Sequence, residues 1–312
     1  MRPGAASRMG LTRRQLLAAA AAGAGRAAAQ AQYKAGGAKP RTKPPVCLYS
    51  KQLAKVEYDD LGKVLRDLGF DGCDLSVEPG GHVLPENAQA DLVRAVLAVT
   101  DVGLYVPTIT TSITSSDDPN IRMVLALAGF MGVPLFRPGI WKYNGTTDLD
   151  ARMAQVHVEI AGLMSAGRAA GMAMGLRNVA GDNVGGAVWD TSFMIRGMDP
   201  QWVGYDFDPG SATAAGGVDG WWVALRLALP RLKMATLNDF TWTKDAGGAW
   251  KATPCPLGEG VVDWSKFFTA LARVKFTGPL SIEMGYRPVK EVEAIRRDLE
   301  FVRQQVASAY GS

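Results

Sequence analysis

The sequence predicts a single (β/α)8 barrel, the TIM-barrel fold, behind an N-terminal leader. Three observations point to this fold class. Eight short apolar runs alternate with longer amphipathic runs in about 270 residues, which suits a closed barrel better than an open doubly wound sheet. Charged and amide side chains follow most of the short runs, where barrels of this kind carry their catalytic groups. The chain of 312 residues is 47% hydrophobic and 21% charged, which excludes wholesale disorder.

The first element, residues 1–31, is predicted to be a signal peptide. Its stretch 12–17, Thr-Arg-Arg-Gln-Leu-Leu, resembles a twin-arginine signal, and the small residues up to Ala31 suit a cleavage site. A plain secretory signal is the alternative. Residues 32–45 are rich in Lys, Gly and Pro and are expected to form a linker ahead of the barrel at 46–312. The sequence therefore predicts an exported, periplasmic protein.

The charge of the chain belongs mostly to this leader. The net charge is +4, but the first 31 residues hold five arginines and no acid, which leaves 29 Lys and Arg against 30 Asp and Glu in the remainder. We therefore expect no nucleic-acid partner. No later stretch approaches 18 consecutive apolar residues, so we expect no membrane segment after cleavage of the signal.

Three cysteines, Cys47, Cys73 and Cys255, show no metal-ligand spacing. We expect buried thiols, with a Cys47–Cys73 disulfide as the alternative.

Eight short apolar runs are the candidate strands. They cover residues 46–49, 72–75, 105–108, 135–137, 173–178, 203–208, 234–239 and 280–283. Helical periodicity fills the gaps between them, most clearly over 61–68, 92–99, 148–171, 221–229 and 289–306.

Polar residues lie at or just past the ends of these strands. They are Glu78, Arg137, Arg177, Asn178, Asp208, Asn238, Asp239 and Glu283. Because the carboxyl ends of barrel strands meet at one mouth, we expect these side chains to lie near one another.

Four motifs are more specific than this pattern. They are 69–75 (GFDGCDL) continuing to 79–83 (PGGHV), 207–212 (FDPGSA), 238–240 (NDF) and 256–264 (PLGEGVVDW). Together they resemble the sugar phosphate isomerase/epimerase family, the xylose-isomerase-like barrels, over residues 46 to about 286.

The resemblance implies a divalent cation held by carboxylates after the fifth, sixth and eighth strands and by a His after the seventh. Such a cation polarises a ketose carbonyl while a carboxylate moves the proton. Asp208 and Glu283 match the ligands of the sixth and eighth strands. If a metal is bound, these two residues would hold it.

The sequence departs from the family pattern at the remaining ligand positions. Arg177 stands where a Glu precedes Asn178, Ser211 replaces a His, and Asn238 stands where a His or Lys follows the seventh strand. A guanidinium is a permanent cation, so Arg177 is predicted to take the place of the metal and to pair with Asp208 or Glu283. The alternative turns Arg177 outward. We expect no cofactor, although a weakly held Mn or Mg ion is possible.

Six residues are candidates for contact with a small-molecule sugar. They are His82, Arg137, Asn178, Asn238, Trp141 and Trp242. His82 follows a glycine pair on a loop that can face the mouth, and a locally hydrogen-bonded loop histidine is its alternative role. A salt bridge at the barrel rim is the alternative for Arg137. Tryptophan rings stack on sugars, although single tryptophans are more often core residues.

Two hypotheses of function remain open. The first is an enzyme that transfers a proton next to a carbonyl of a sugar or keto-sugar, by isomerisation, epimerisation or elimination from a 3-keto-glycoside. Its catalytic residues would be Glu283, Asp208, Arg177 and Asp239. The second is a non-catalytic sugar-binding or partner subunit that keeps the barrel, which the missing carboxylate and histidines favour. A homo-oligomer is possible in either case.

Overall fold

Eight parallel strands close into a barrel in the computed structural model, which describes residues 41–311. The barrel strands are β1 (Val46–Tyr49), β2 (Gly72–Val77), β3 (Tyr105–Thr111), β4 (Leu135–Arg137), β5 (Ala173–Arg177), β6 (Val203–Phe207), β7 (Leu232–Leu237) and β10 (Leu280–Ile282). They follow one another around the barrel in chain order, and β10 closes it by pairing with β1. The predicted fold class and all eight predicted strands are confirmed. The predicted signal peptide, and the linker up to residue 40, lie outside the described residues.

Polar and apolar residues alternate along the strands because the two faces of the barrel wall differ. On β6, Phe207 points outward and stacks on Phe267 of a covering helix, with ring centroids 6.2 Å apart. Its neighbour Asp206 points into the barrel, where it bonds to Thr236 of β7. Successive side chains of a strand face opposite sides, so inward positions form a polar interior and outward positions form the main apolar core.

Eight α-helices of residues 41–311 cover the outside of the barrel. They are α1 (Tyr58–Leu68), α2 (Ala88–Thr100), α3 (Ile121–Phe130), α4 (Leu149–Ala170), α5 (Trp189–Met194), α6 (Pro209–Ala228), α7 (Trp264–Arg273) and α8 (Glu291–Tyr310). The helix predicted over 148–171 is α4. Its first turn is capped by the Asp148 side chain, and its end is set by Gly171 in the left-handed region. Within residues 41–311, no helix is both long and apolar enough to cross a bilayer.

The helix predicted over 221–229 is only the second half of α6. Asp208 caps the true start by accepting a hydrogen bond from the Ser211 backbone N–H at 2.8 Å. Gly217, at φ 65°, interrupts the regular helix between the two halves. The small residues before this break conceal the helical period, which is why the sequence pattern misses the first half.

A β-hairpin between β7 and α7 is absent from the sequence prediction. It consists of β8 (Asp239–Lys244) and β9 (Trp250–Cys255), which pair antiparallel. Most of its side chains are exposed or half-buried. The apolar runs that identify the barrel strands are therefore missing from it.

The three cysteines are free thiols. Cys47 and Cys73 are buried on the adjacent strands β1 and β2, and Cys255 is half-buried on the hairpin. Burial raises the pKa of all three thiols. The expectation of buried thiols holds for Cys47 and Cys73, and the alternative disulfide is not formed.

Candidate active site

The guanidinium of Arg177 lies between two carboxylates at the mouth of the barrel. Arg177 ends β5, and its Nη2 and Nε donate to Oδ2 of Asp208 at 2.9 and 3.2 Å. Its Nη1 donates to Oε2 of Glu283 at 2.7 Å. The Arg177 side chain is 13% exposed and that of Glu283 is 22% exposed. The inward orientation predicted for Arg177 is therefore what the structure has, and it pairs with both carboxylates rather than with one.

Asp208 is held in place from every side. Besides Arg177, its Oδ2 accepts hydrogen bonds from Nδ2 of Asn238 at 2.7 Å and from Oγ of Ser211 at 3.1 Å. The amide of Asn178 bonds to both the backbone N–H and the carbonyl of Asp208. Asn178 and Asn238 thus position Asp208, and contact with a sugar is not needed to explain either side chain.

A second arginine lies deeper in the barrel. Arg137 is 3% exposed and donates to Asp206 at 3.2 Å and to Glu283 at 3.2 Å. It also reaches Asp74 at 3.4 Å and Thr236 at 2.7 Å. The alternative considered for Arg137, a salt bridge, is present, but it is buried inside the barrel rather than at the rim. The predicted contact of Arg137 with a substrate stays a prediction.

Asp74 and Asp206 belong to this network and were missed by the sequence analysis. Both are buried, and hydroxyls of neighbouring strands satisfy them: Thr110 and Ser281 donate to Asp74, and Thr236 to Asp206. A usable signal exists in the sequence. Asp206 is two residues before Asp208, so strand periodicity places both side chains on the inner face.

The pKa values of the carboxylates in this network are shifted in opposite directions. Burial opposes ionisation of Glu283, but the guanidiniums of Arg177 and Arg137 outweigh it and lower the pKa of Glu283 to about 2. Burial raises the pKa of Asp74 and Asp206, and Arg137 only partly offsets this effect. Of Asp74, Asp206 and Glu283, Glu283 is therefore the carboxylate that is most firmly held in its charged form.

A cavity of about 210 Å³ lies against the ion pair of Arg177 and Glu283. Arg177, Ser211, Asn238, Asp239 and Glu283 form its polar wall. Apolar side chains form the other wall: Val179, Ala180, Ala214, Phe240, Ala252 and Pro254. Among residues 41–311, nothing donates a hydrogen bond to Oε1 of Glu283, which leaves that oxygen free for a ligand in the cavity.

Asp239 does not take part in this charge cluster. Its carboxylate accepts from the backbone N–H groups of Gly258, Gly260 and Val262 and from Nε1 of Trp264 at 2.8 Å. A Cβ at Gly260 would lie 2.0 Å from Oδ1 of Asp239, which explains the glycine there. Asp239 therefore fixes the 256–264 loop, and because it also lines the cavity, its predicted catalytic role stays a prediction.

His82 and Trp141 bond to local partners and do not line the cavity. The ring nitrogens of His82 lie 3.1 Å from Oγ of Ser50 and 3.1 Å from the carbonyl of Val56, which agrees with the local hydrogen bonding considered as its alternative. Trp141 is 6% exposed, and its indole N–H donates to the carbonyl of Thr114. The predicted contacts of these two residues with a sugar stay predictions.

Trp242 lies on the hairpin and is 46% exposed, packed edge-on against Phe240 at 5.2 Å between ring centroids. Its face is open to a ligand, and its predicted contact with a sugar remains a prediction.

Glu78 accepts a hydrogen bond from Lys51 at 2.9 Å and another from the hydroxyl of Tyr49 at the mouth.

Comparison with protein families decides the relationship that the motifs suggested. The model of the xylose isomerase-like TIM barrel family matches residues 62–305, which is most of the chain. The chain belongs to this family. No curated protein matches the sequence.

Solved structures of the same fold share little sequence with the chain. A 3-keto-D-glucoside 4-epimerase from E. coli superposes with a TM-score of 0.66 at 16% identity, covering 84% of this chain and 100% of that one. An L-ribulose 3-epimerase gives 0.66 at 16% identity, with 85% and 95% covered. A xylose isomerase-like barrel protein from Mycobacterium smegmatis, in complex with magnesium, gives 0.64 at 18%, with 86% and 98% covered. At these identities the likeness establishes the fold.

The residues present do not fit the divalent cation that the family resemblance implies. Within the described chain, no group of three or more His, Cys, Asp or Glu side chains is placed to hold a metal. Oδ2 of Asp208 already accepts four hydrogen bonds, two of them from the guanidinium that lies between it and Glu283. A cation placed there would meet Arg177 at close range. The weakly held Mn or Mg ion considered from the sequence has no suitable site between these carboxylates.

Proposed function

We propose that this protein is a sugar isomerase or epimerase-like enzyme that transfers a proton next to a carbonyl of a sugar or keto-sugar, with Arg177 in place of a divalent cation. The observation that carries the proposal is the ion-paired guanidinium of Arg177 in the polar wall of a cavity, beside a carboxylate, Glu283, that has one free oxygen. A small sugar in the cavity would contact both side chains from the same side.

Arg177 is the electrophile in this proposal. Removal of a proton from the carbon beside a carbonyl sends the electron pair onto the carbonyl oxygen and forms an enediolate. The N–H groups of Arg177 can donate to that oxygen, and Asp208, which binds Nε and Nη2, keeps the guanidinium in place when Nη1 donates to the substrate instead of Glu283. The same contact in the ground state orients the carbonyl toward Glu283.

Glu283 is the proton-transfer group, whereas Asp208 holds Arg177 in position. Asp208 is fully buried and accepts four hydrogen bonds on one oxygen, so it is poorly placed to take a proton. Glu283 is partly exposed to the cavity. In the free site its pKa of about 2 makes it a weak base. A substrate oxygen that takes the Arg177 Nη1 hydrogen bond would release Glu283 from one of its two cationic partners and raise that pKa.

Deuterium incorporation tests the proposal. The purified protein, treated with chelator, is incubated in D2O with a panel of ketoses and 3-keto-glycosides, and exchange at the carbon beside the carbonyl is followed by NMR. We expect exchange with at least one substrate, lost in Glu283→Gln. Glu259→Gln is the matched control, because Glu259 is exposed and pairs with Arg297 on the surface. Exchange that requires added metal would contradict the role given to Arg177.

The second candidate function is sugar binding without catalysis. The low pKa of Glu283 favours it, because a carboxylate clamped by two arginines is a better anchor than base. Calorimetric binding of a sugar without deuterium incorporation into any member of the panel would select this function over the first.

A further inference from the structure

One face of the hairpin continues the wall of the cavity outward. In an antiparallel pair, directly opposed residues share a face, as do residues two apart on one strand. The register pairs Phe240 with Pro254, Trp242 with Ala252, and Lys244 with Trp250. These six residues therefore form one face, which we call the hairpin face.

The hairpin face has an inner and an outer half. Its inner half, Phe240, Ala252 and Pro254, lines the cavity together with Arg177 and Glu283. Its outer half carries the two indoles of Trp242 and Trp250, which are 46% and 64% exposed, with Lys244 5.1 Å from the Trp250 ring centroid. Four residues of strand, about 13 Å, separate Pro254 from Trp250.

The two exposed tryptophans lie on one face that continues the cavity wall outward, so their indoles are accessible to a ligand that extends from the cavity. A pyranose ring presents a flat C–H surface that stacks on an indole, and its hydroxyls accept hydrogen bonds from an ammonium such as that of Lys244. The opposite face of the hairpin is unlike this one: Thr243 and Thr253 are half-buried and hydrogen-bond to each other.

We propose that the hairpin face is a subsite for a second sugar ring, so that the substrate is a disaccharide-sized glycoside rather than a free monosaccharide. The first ring occupies the cavity at Arg177 and Glu283, and the second ring stacks on Trp242 and Trp250. This inference extends the proposed function, because it places the reacting ring in the same cavity, but it requires binding only and not proton transfer.

Calorimetric titration tests the subsite with methyl glycosides of common hexoses, each paired with disaccharides that extend the same residue at its anomeric carbon. We expect at least one disaccharide to bind the wild-type protein more tightly than its methyl glycoside. Trp242→Ala and Trp250→Ala should each weaken that disaccharide by about three- to tenfold and leave the methyl glycoside within about twofold. The unchanged methyl glycoside shows that the cavity is intact. Trp242→Tyr should recover part of the loss.

Trp189→Ala is the matched control, because Trp189 is 48% exposed on α5, outside the hairpin; it should leave both affinities unchanged. The inference is overturned if no disaccharide binds more tightly than its methyl glycoside, or if both hairpin variants bind disaccharides as the wild type does. It is also overturned if these variants change only the oligomeric state in sedimentation, since the face would then contact another protein chain. Failure of deuterium exchange alone would remove the proposed enzyme function and leave the subsite standing.

Discussion

At residue 177 the chain places a permanent positive charge where the family resemblance implies a metal-binding carboxylate. The consequences reach both neighbours: Asp208 becomes the anchor of a guanidinium, and Glu283 becomes a carboxylate with one bound and one free oxygen. A sugar oxygen in the cavity would meet N–H donors fixed in direction. A planar fork of this kind is more directional than a hydrated ion.

Residue 283 gives a pH-dependent prediction. Its pKa is lowered from 4.5 to about 2 in the folded chain, so its charge stabilises the fold above pH 4.5, and this stabilisation is lost as the pH falls through 2. The amount is about 3 kcal/mol. Glu283→Gln should therefore be less stable than wild type at pH 7, and the gap should narrow between pH 4.5 and 2. Urea unfolding at several pH values measures it. A gap that stays constant with pH would contradict the ion pairing of Glu283.

Residue-level prediction from sequence succeeded where a motif or a strand end singled out a side chain. Arg177, Asp208 and Glu283 follow three separate strands, and the closed barrel brings them together. It did not find the local partners of His82, Trp141 and Asp239, because no motif reveals them: a serine hydroxyl, a backbone carbonyl and a set of backbone N–H groups. Whether a polar group near the mouth faces a ligand or its own loop depends on these contacts.

At the scale of elements, the hairpin β8–β9 is the main addition to the barrel. The carboxylate of Asp239, the first residue of the hairpin, holds the 256–264 loop in place. It accepts four hydrogen bonds from that loop and the start of α7. Since Asp239 lines the cavity together with Ala252 and Pro254 of the hairpin, this carboxylate helps to set the shape of the cavity. The eight barrel strands were predictable because they are buried on both faces; the hairpin was not, because most of it is exposed.

Asp239→Asn tests this structural role. An amide nitrogen would face N–H donors in place of a charged acceptor, so we expect the variant to lose about 2–3 kcal/mol of unfolding free energy. Hydrogen exchange should speed up first in residues 239–264. Asp245→Asn is the matched control, because Asp245 accepts hydrogen bonds in the exposed turn of the same hairpin, and it should cost less than about 1 kcal/mol. Equal stability of Asp239→Asn and wild type would show that the loop does not depend on this carboxylate.

At the scale of the whole molecule, a closed barrel with a charged interior follows a stretch of 31 residues that carries five arginines. We propose that this stretch is a leader that exports the protein already folded, as a twin-arginine signal does. In this proposal the barrel would cross the membrane with its buried ion pairs formed.

A fusion of residues 1–35 to a reporter that is active only when exported folded tests this proposal. We expect export by the unaltered leader and none after Arg13→Lys combined with Arg14→Lys, because the twin-arginine signal needs both guanidiniums. Fractionation of periplasm and cytoplasm gives the readout. Continued export of the double variant would point to a plain secretory signal instead.

The most direct test of the account asks whether Arg177 stands in for a cation. Melting temperature is measured with and without added manganese for wild type, Arg177→Ala and Arg177→Glu. Arg177→Ala leaves Asp208 and Glu283 without their shared partner and should lose about 2–4 kcal/mol, with no recovery by metal. Arg177→Glu supplies a third carboxylate, and manganese should raise its melting temperature by at least about 2 °C while leaving wild type unchanged. An equal response of all three proteins to manganese, or full stability of Arg177→Ala without it, would contradict the replacement of the metal by Arg177.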